Sequence, residues 1–470
     1  WLHRSRARGR WRQALRHSPV TKPRSHQFTK LQTTMRISVI GLGYLGATHA
    51  VAMATLGHEV IGIEPDQSRL EPLKNGVVPF YEPGLQDALK KVIAAGKLSF
   101  QNSHDEKSAA AEVHFICVGT PQQKGKETAD TSYVFSAAKQ LAAVLKPESL
   151  VVGKSTVPVG TARHLISSIQ EIAGFEPRLC WNPEFLREGT ALEDSLAPDR
   201  IVIGSNDPLI NKNLKDCYQQ ILDTGTPLLE LDLETAELVK VSANAFLATK
   251  ISFINAMAEI AEAAGADAVK LAEAIGMDSR IGKSFLRTGI GFGGGCLPKD
   301  IRGFIARADE LGVGSSLKFL TEVDNINLRR RQRVIDLAVA ELEDPGHKKV
   351  TVLGISFKPD SDDLRDSPAL DIALGLQAKG AQVIVHDPVS LAALEARQTG
   401  LSVAEEVLEA TKDADLIILG TEWAEYRKLD PSTLNPKTKT IIDGRNVLSV
   451  NDWQKAGFKV IALGRNIQNG

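Results

Sequence analysis

The segment "MRISVIGLGYLGATHAVAMATLGHEVIGIEPD", which opens at Met35, constrains the fold more than any other stretch of the chain. It consists of an apolar run, a glycine-rich turn, a stretch of helix-forming residues and a second apolar run that ends in acidic residues. Uninterrupted apolar runs are typical of parallel strands that are buried on both faces. The order of strand, glycine turn, helix and strand therefore predicts a βαβ unit at the start of a doubly wound α/β domain.

Gly41, Gly43 and Gly46 give this unit the pattern G-x-G-x-x-G, and Glu64 ends the second predicted strand. The pattern alone is weak, but its position between a strand and a helix is the one that dinucleotide binding requires. The first glycine would permit the tight turn, the second the approach of a pyrophosphate, and the third close packing of helix on strand. Glu64 would accept hydrogen bonds from ribose hydroxyls and repel a 2′-phosphate, which favours NAD over NADP, although Arg69 weakens that preference. The alternative is a glycine turn without a ligand.

The composition and hydrophobic pattern of the sequence change twice after this domain. From Asp232 to Ala264 there is no glycine or proline, and apolar residues lie most of the way round the predicted helix. Such a helix is buried on several sides, which predicts a spine between domains and a dimer core. A second α/β unit begins near Lys348, but its loop "VLGISFKPDSDDLRDSP" keeps only one of the three glycines and adds Lys358 and Arg365. This loop suits a different nucleotide. The predicted domains are 35–225 (dinucleotide-binding), 226–345 (helical) and 346–470 (second α/β domain).

Composition and charge exclude several classes of protein. The chain has 470 residues, which suggests about three domains, and its 43% hydrophobic and 24% charged residues are typical of globular proteins. Residues 1–34 contain Lys and Arg but no Asp or Glu, so the remainder is acidic and general binding of nucleic acid is not expected. No apolar run approaches the roughly 20 residues of a membrane span. We expect residues 1–34 to be a disordered basic leader, or sequence that is not part of the functional protein. An organelle transit peptide is the alternative.

The four cysteines are widely spaced and form no CxxC pair. This spacing argues against a disulfide framework or a zinc site, and for a reducing compartment such as the cytoplasm. Cys117 lies in an apolar run and is expected to be a small buried hydrophobic residue. Cys180 and Cys217 have no suggestive neighbours. We therefore expect no bound metal and no structural disulfide.

Cys296 differs from the others in its surroundings. It lies in "GIGFGGGCLPKD", where five glycines precede it and Lys299 and Asp300 follow it. Glycines let backbone pass close to a bound ligand, and a nearby cation such as Lys240 or Lys299 would favour the thiolate over the thiol. This context predicts a reactive thiol in a binding site.

Seven motifs resemble the UDP-glucose/GDP-mannose dehydrogenase family, and they occur in the family's order from Met35 onward. They are "GLGYLG", "STVPVGT", "NPEFLREGTA", "KVSANAFLATKISFIN", "GFGGGCLPKD", "FKPDSDDLRDSP" and "DGRN". The resemblance implies two Rossmann-like doubly wound domains joined by a central helical dimerisation domain. It implies oxidation of a nucleotide-sugar alcohol to the acid by two successive hydride transfers, which consume two NAD. It also implies a homodimer.

The resemblance further implies roles for the residues around the cysteine. Cys296 would attack the intermediate aldehyde and carry a thiohemiacetal and then a thioester. Lys240 would stabilise the oxyanion with the help of Asn244, which shares its helix face one turn away. Asp300, together with Thr156, would position or activate the hydrolytic water. A lysine on a largely apolar helix is costly to bury without such a task.

Other positions are implied as contacts of the sugar or the cofactor. Glu184 and Glu188 would lie at the sugar, although a solvated helix face is the alternative for this pair. Arg280 would reach the substrate from the neighbouring subunit. The implied substrate-binding residues are Glu188, Arg280, Phe292, Gly293, Lys358 and Arg445, with Glu184 among the catalytic ones. The implied cofactor-binding residues are Gly41, Gly43, Tyr44, Leu45, Gly46, Glu64, Arg69, Gly119, Thr120, Thr156, Glu188, Lys299 and Arg365.

The segments "PDRIVIG" and "TEW" resemble those of family members that act on UDP-glucose, which implies UDP-glucose as the substrate and UDP-glucuronate as the product. GDP-mannose and UDP-N-acetylhexosamines remain alternatives within the same chemistry. A single-step hydroxyacid dehydrogenase would need neither Cys296 nor the last domain. A non-catalytic NAD-dependent sensor would tolerate the loss of Cys296 and Asp300, yet both are present.

Overall fold

The structure is a computed structural model and describes residues 34–467, so the predicted basic leader lies outside the described residues. The strands of the first sheet are β1 Arg36–Ile40, β2 Glu59–Ile63, β3 Leu98–Gln101, β4 Val113–Ile116, β5 Leu150–Gly153, β6 Arg178–Trp181, β7 Ile201–Gly204 and β8 Leu228–Leu231. Their order is β3-β2-β1-β4-β5-β6-β7-β8, and only the β6–β7 pair is antiparallel. The strand order reverses between β1 and β4, which is where doubly wound sheets bind their ligands. The sheet extends to Leu231, beyond the predicted boundary at 225.

Helices cover both faces of this sheet. They are α1 Tyr44–Thr55, α2 Gln67–Lys74, α3 Leu85–Ala94, α4 Glu106–Ala109, α5 Ser132–Ala142, α6 Thr161–Ala173, α7 Ala191–Leu196, α8 Pro208–Cys217 and α9 Gln219–Leu222. Because side chains alternate along a strand, Ile37 and Val39 pack with α1 on one face, whereas Ile40 packs with α5 and α6 on the other. The predicted βαβ unit is confirmed.

The central region contains α10 Leu233–Ala264, α11 Ala268–Gly276, α12 Leu297–Glu310 and α13 Lys318–Leu342. Helix α10 begins after Asp232, whose carboxylate accepts the amide of Thr235 at 2.8 Å, and ends at Gly265 with φ 71°. The predicted helix from Asp232 to Ala264 is therefore confirmed. One buried face of α10 is polar and carries Glu237, Lys240, Asn244, Ser252 and Asn255.

The second sheet contains β9 Lys349–Leu353, β10 Gln382–His386, β11 Ser402–Val403, β12 Leu416–Leu419, β13 Thr440–Asp443 and β14 Lys459–Ala462. Its helices are α14 Pro368–Ala378, α15 Leu391–Glu395, α16 Val407–Thr411, α17 Ala424–Arg427 and α18 Val450–Lys455. The order β11-β10-β9-β12-β13-β14 repeats that of the first six strands of the first sheet, and every pair is parallel. The predicted fold class, two Rossmann-like units joined by helices, is confirmed.

Two features are absent from residues 34–467. None of the helices there combines the length and apolarity that a membrane-spanning helix requires. No group of three or more His, Cys, Asp or Glu side chains in this range is arranged to hold a metal ion.

Candidate active site

The turn between β1 and α1 has the geometry that a pyrophosphate needs. Gly41 has φ +85°, and a Cβ at Gly46 would lie 1.8 Å from the Gly41 carbonyl oxygen, so both positions require glycine. Gly43 precedes α1 without a side-chain cap, and the nearest atom to a Cβ there would be Arg69 Nη1 at 4.0 Å. The positive end of the helix is therefore open, with a guanidinium beside it, and these residues fit the phosphates of NAD.

Glu64 is buried at the end of β2, where its carboxylate accepts two backbone amides. Oε2 accepts from Leu42 in the glycine turn at 2.8 Å, and Oε1 accepts from Asp66 at 3.1 Å. A carboxylate offers about four lone-pair sites, so acceptor capacity is left for ribose hydroxyls. Glu64 thus holds the turn, a task that the sequence did not predict, and its contact with the ribose stays a prediction.

Other predicted cofactor residues line the same edge of the sheet. The Tyr44 hydroxyl donates to Glu82 and accepts the amide of Gly189 at 3.1 Å. Leu45 packs against the core beneath the turn. Thr120 is buried, and its hydroxyl donates to the Thr156 carbonyl at 2.7 Å. Gly119 is exposed, and a Cβ there would meet no atom within 4 Å.

The predicted nucleophile lies at the N-terminus of α12. Cys296 is the N-cap residue and is exposed, in contrast to the three buried cysteines. Its carbonyl accepts the amide of Asp300 at 2.9 Å, which places the buried Asp300 carboxylate one turn along the helix. That carboxylate accepts from Asn244 Nδ2 and from Lys299 Nζ, each at 2.6 Å. The structure thus brings together Cys296, Asp300, Asn244 and Lys299 as predicted.

Lys240 forms a buried ion pair with Glu184, with Nζ 2.8 Å from Oε1. Burial lowers the pKa of Lys240, but Glu184, Cys296 and Asp300 outweigh it, so that the pKa lies above its usual value. Glu184 Oε2 also accepts the amide of Leu186 at 2.6 Å. Lys240 is therefore held as a cation, and it can donate a hydrogen bond to a developing oxyanion.

The predicted thiolate is not favoured in the free protein. Although Cys296 keeps a solvent-accessible face, the surrounding protein and the charge of Glu184 raise the pKa of its thiol. Lys240 lowers that pKa, whereas Asp300 raises it further. Lys240 therefore acts in the predicted direction, but burial and Glu184 outweigh it, and Lys240 and Lys299 are paired with Glu184 and Asp300.

Glu188 connects the first α/β domain to the loop after β9. Its Oε2 accepts the Ser361 hydroxyl at 2.8 Å, and Arg365 lies 3.5 Å from Oε1. Burial and the nearby Asp363 raise the pKa of Glu188 to about 6. Lys358, on the same loop, has a pKa that burial lowers. These groups form the wall of the site that the second α/β domain supplies.

Several glycines before Cys296 lie against other protein atoms, while the predicted approach of this backbone to a bound sugar stays a prediction. A Cβ at Gly293 would lie 2.2 Å from the Asp366 carbonyl oxygen, and one at Gly295 would lie 2.3 Å from Arg365 Cζ. Gly291 has φ +96°, and a Cβ there would meet Asn327 Oδ1 at 2.2 Å. The loop has glycine at these positions because it passes between α13 and the second α/β domain, where a side chain would not fit.

Three predicted substrate residues have other partners here. Phe292 is buried in the core of the central helices, and Asn327 bonds both its amide and its carbonyl. Arg445 donates to the carbonyls of Gly420, Gly291 and Phe357, so it joins the glycine loop to the second sheet. Arg280 is exposed and pairs with Asp278. Their substrate roles stay predictions.

Comparison with known proteins gives the family. Models of the UDP-glucose/GDP-mannose dehydrogenase family match the NAD binding domain at residues 35–222, the central domain at 234–329 and the UDP binding domain at 351–450. The chain belongs to this family. It is 39% identical over 438 residues to UDP-glucose 6-dehydrogenase of Rhizobium meliloti (strain 1021), covering 92% of this chain and 100% of that protein.

Solved structures of the family agree in fold. A UDP-glucose dehydrogenase from the archaeon Pyrobaculum islandicum is 36% identical with a TM-score of 0.85, covering 93% of this chain and 99% of that one. A UDP-D-ManNAc dehydrogenase from Pyrococcus horikoshii is 26% identical with a TM-score of 0.79, covering 92% and 99%.

Two buried carboxylates of this family member were not predicted as site residues. Glu82 accepts the amides of Gly189 and Ala191, each at 2.7 Å, and so fixes the segment that carries Glu188. Glu237 lies one turn before Lys240 on the same face of α10. The position of Glu237, three residues before Lys240 on one helix, could have indicated from the sequence that the two share a face. Glu82 gave no such signal, because its partners Gly189 and Ala191 are distant along the chain.

Proposed function

We propose that the chain is an NAD-dependent UDP-glucose 6-dehydrogenase that converts UDP-glucose to UDP-glucuronate. The observation that carries this proposal is the exposed Cys296, one helical turn from the buried Asp300, with the Lys240–Glu184 ion pair beside it. The names of relatives such as the Rhizobium meliloti protein, which is 39% identical, support UDP-glucose as the sugar nucleotide.

The reaction consumes one water and two NAD per sugar. The cofactor supplies an acceptor for one hydride in each oxidation. The C6 alcohol first loses a hydride and a proton to give an aldehyde. The Cys296 sulfur then adds to this aldehyde, and the thiol proton passes to the aldehyde oxygen, which becomes the hydroxyl of the thiohemiacetal. Loss of a second hydride and the hydroxyl proton gives a thioester, and water cleaves the C–S bond to give the carboxylate and the free thiol.

The polar groups around the thiol would each act at a different point. Lys240, held as a cation, would donate to the oxygen that carries negative charge in the thiohemiacetal and during hydrolysis. Asp300, fixed by Asn244 and Lys299, would hold the hydrolytic water together with Thr156. Because the pKa of the Cys296 thiol is raised, the attacking sulfur would lose its proton only when the substrate arrives.

The second α/β domain would bind the nucleotide part of the substrate. Its loop after β9 supplies Lys358, a cation that suits a diphosphate, whereas Arg365 on the same loop, next to Glu188, would lie near the cofactor. Arg445 would contribute by holding the glycine loop against the second sheet. In the first domain, the glycine turn, Glu64 and Arg69 would bind NAD.

A homodimer would complete the site. Phe246, Phe253 and Ile260 are exposed and follow one another two turns apart along α10, which makes an apolar stripe. A second copy of the same helix would cover this stripe, as in a symmetric interface. The exposed Arg280 would then contact the substrate of the partner subunit. The free thiols of all four cysteines support a cytoplasmic location.

Counting NADH per sugar tests the proposal. Limiting UDP-glucose should yield two NADH, and UDP-N-acetylglucosamine and GDP-mannose should be much poorer substrates. Cys296→Ala should stop at the aldehyde with at most one NADH per bound sugar, whereas Cys217→Ala, which removes a buried thiol of the first domain, should still yield two. One NADH from the wild type would indicate a single-step dehydrogenase, and none a non-catalytic sensor. A preference for GDP-mannose or the N-acetylated sugar would reassign the substrate.

A further inference from the structure

The segment from Thr156 to Thr161 joins β5 to α6. It lies where the first α/β domain meets the central helices α10 and α12. Thr156 is half-buried, and its carbonyl accepts from Thr120. Val159 and Gly160 in this segment, and Ala162 in the first turn of α6, form hydrogen bonds with the central helices. We call this segment the Thr156 loop.

Glu237 fastens the Thr156 loop to α10. Its side chain is buried, and its two carboxylate oxygens accept different amides, Oε2 from Gly160 and Oε1 from Ala162, each at 2.7 Å. Lys240 lies one turn further along the same helix face. The loop is therefore held in register with the lysine of the site.

Arg307 fastens the same loop to α12. Its Nε donates to the Val159 carbonyl at 3.0 Å, while Nη1 pairs with Glu310 at 2.7 Å. Helix α12 begins after Cys296 and carries Asp300 in its first turn. The loop is thus tied on one side to the helix of the lysine and on the other to the helix of the nucleophile.

Two cavities show why these ties matter. A cavity of about 20 Å³ is lined by Thr156, Lys299, Asp300 and Arg307, among others. A water needs at least about 10–15 Å³ on this scale, so one water fits beside Thr156 and Asp300. A second cavity of about 320 Å³ lies against Pro158, Thr161 and His164. Pro158 and Arg307 line both cavities, so the loop and its tie to α12 border on each of them.

We propose that Glu237 and Arg307 are positioning residues that hold the Thr156 loop against α10 and α12 and thereby fix the water that hydrolyses the thioester. This inference rests on the proposed function and adds two residues that act through Thr156. Neither residue is required for the two hydride transfers.

The contact at Glu237 requires a carboxylate. Both oxygens accept an amide, whereas a glutamine or a protonated carboxyl offers only one acceptor oxygen and directs a donor at the other amide. Burial raises the pKa of Glu237 to about 7, the two amides lower it, Glu234 on the same helix raises it and Arg307 lowers it. Glu237→Gln should therefore release one of the two amides.

The test separates hydrolysis from oxidation in the full-length enzyme. Glu237→Gln and Arg307→Met are mixed with NAD and UDP-glucose, NADH is followed by stopped flow, and the intact mass of the protein is measured during turnover. We expect a rapid burst that approaches two NADH per site, followed by a steady-state rate at least about tenfold below wild type, with the sugar-nucleotide adduct accumulating on the protein. Glu234→Gln is the matched control, since it removes the same charge one turn away, where Glu234 pairs with the Arg163 side chain. It should behave as wild type.

Several outcomes would overturn the inference. A proportional loss of burst and steady-state rate, without an adduct, would show a general structural role. Wild-type behaviour of both variants would show that the ties do not matter. If Glu237→Gln fails to fold, Arg307→Met decides, because its side chain is partly exposed. A wild-type enzyme that never forms two NADH or an adduct would overturn the proposed function itself, and the inference with it.

Discussion

The two α/β regions share a strand order but differ in the turn that follows their first strand. After β1, the chain passes through Gly41 and Gly43 directly into α1, which leaves the helix N-terminus open. After β9, Gly354 also has a positive φ of +82°, but the next helix begins only at Pro368. The long loop between them reaches the catalytic cleft and delivers Lys358 and Arg365. One topology thus serves a phosphate turn in the first region and a wall of the active site in the second.

Both regions use an acidic residue at the end of their second strand to hold that turn. Glu64 accepts the Leu42 amide at 2.8 Å in the first region. Asp387 accepts the amides of Ile355 at 2.8 Å and Ser356 at 3.0 Å in the second. The acid therefore has a structural task that is common to both sheets, and the predicted ribose contact of Glu64 would be an addition to it. Fold alone does not distinguish the two functions, whereas the loops do.

The largest expected effect comes from the glycines of the first turn. Gly46→Ala would place Cβ 1.8 Å from a backbone oxygen, so it should lower the melting temperature by several degrees and NAD affinity by about 100-fold or more. Gly43→Ala meets open space at φ −66°, so it should leave stability unchanged and weaken NAD alone, by obstructing the pyrophosphate. Thermal unfolding and calorimetric titration of NAD measure the two effects.

Gly354→Ala is the control from the second region. Its Cβ would lie 2.5 Å from the Thr421 side chain on a backbone with positive φ, so it should lower stability without changing NAD affinity. Equal losses of NAD affinity in Gly354→Ala and Gly43→Ala would break the distinction between the two turns.

Sequence patterns were sufficient for the elements and motifs that depend on local signals. The first βαβ unit, the limits of α10 and the placement of Cys296 beside Asp300 follow from periodicity, capping residues and spacing. Strands of two to four residues show no period, so they are recognisable only where an apolar run is clear, as in β5 and β7. The strands β3, β6, β8, β11 and β14 were not predicted.

What the sequence could not supply is how charges pair across the fold. The sequence suggested that Lys240 and Lys299 were free to interact with the thiol. In the structure they form ion pairs with Glu184 and Asp300. The glycines before Cys296 looked like space for a ligand, but the walls that they fit belong to residues far along the chain. The Lys240–Glu184 pair and the walls that face the glycines join segments that are close only after folding, whereas Lys299 and Asp300 are neighbours in the chain.

A smaller effect is expected for the acids that hold the two turns. Glu64→Gln should reduce the preference for NAD over NADP by about tenfold, because the charge that repels a 2′-phosphate is lost. Asp387→Asn should leave that preference unchanged and lower only stability. One of the two carboxylate oxygens that accept buried backbone amides is replaced by an NH2 group, which cannot accept them. The ratio of kcat/KM for the two cofactors measures the first effect. An equal change of that ratio in both variants would show that the acid at Glu64 does not face the ribose.

The smallest effect concerns Glu188, which joins the first region to the loop of the second. Its pKa of about 6 lies above the ordinary 4.5, so the folded state holds this proton more tightly than the unfolded state. Stability from this group is therefore present below about pH 4.5 and is lost as pH rises through about 6, by roughly 1–2 kcal/mol. Glu188→Gln cannot titrate, so its melting temperature relative to wild type should rise by a few degrees between pH 4.5 and 7. Glu193→Gln, an exposed position on α7, controls for the loss of one negative charge. A difference between Glu188→Gln and wild type that stays constant with pH would mean that the contact with Ser361 and Arg365 compensates the burial of Glu188, and that the two regions meet there without strain.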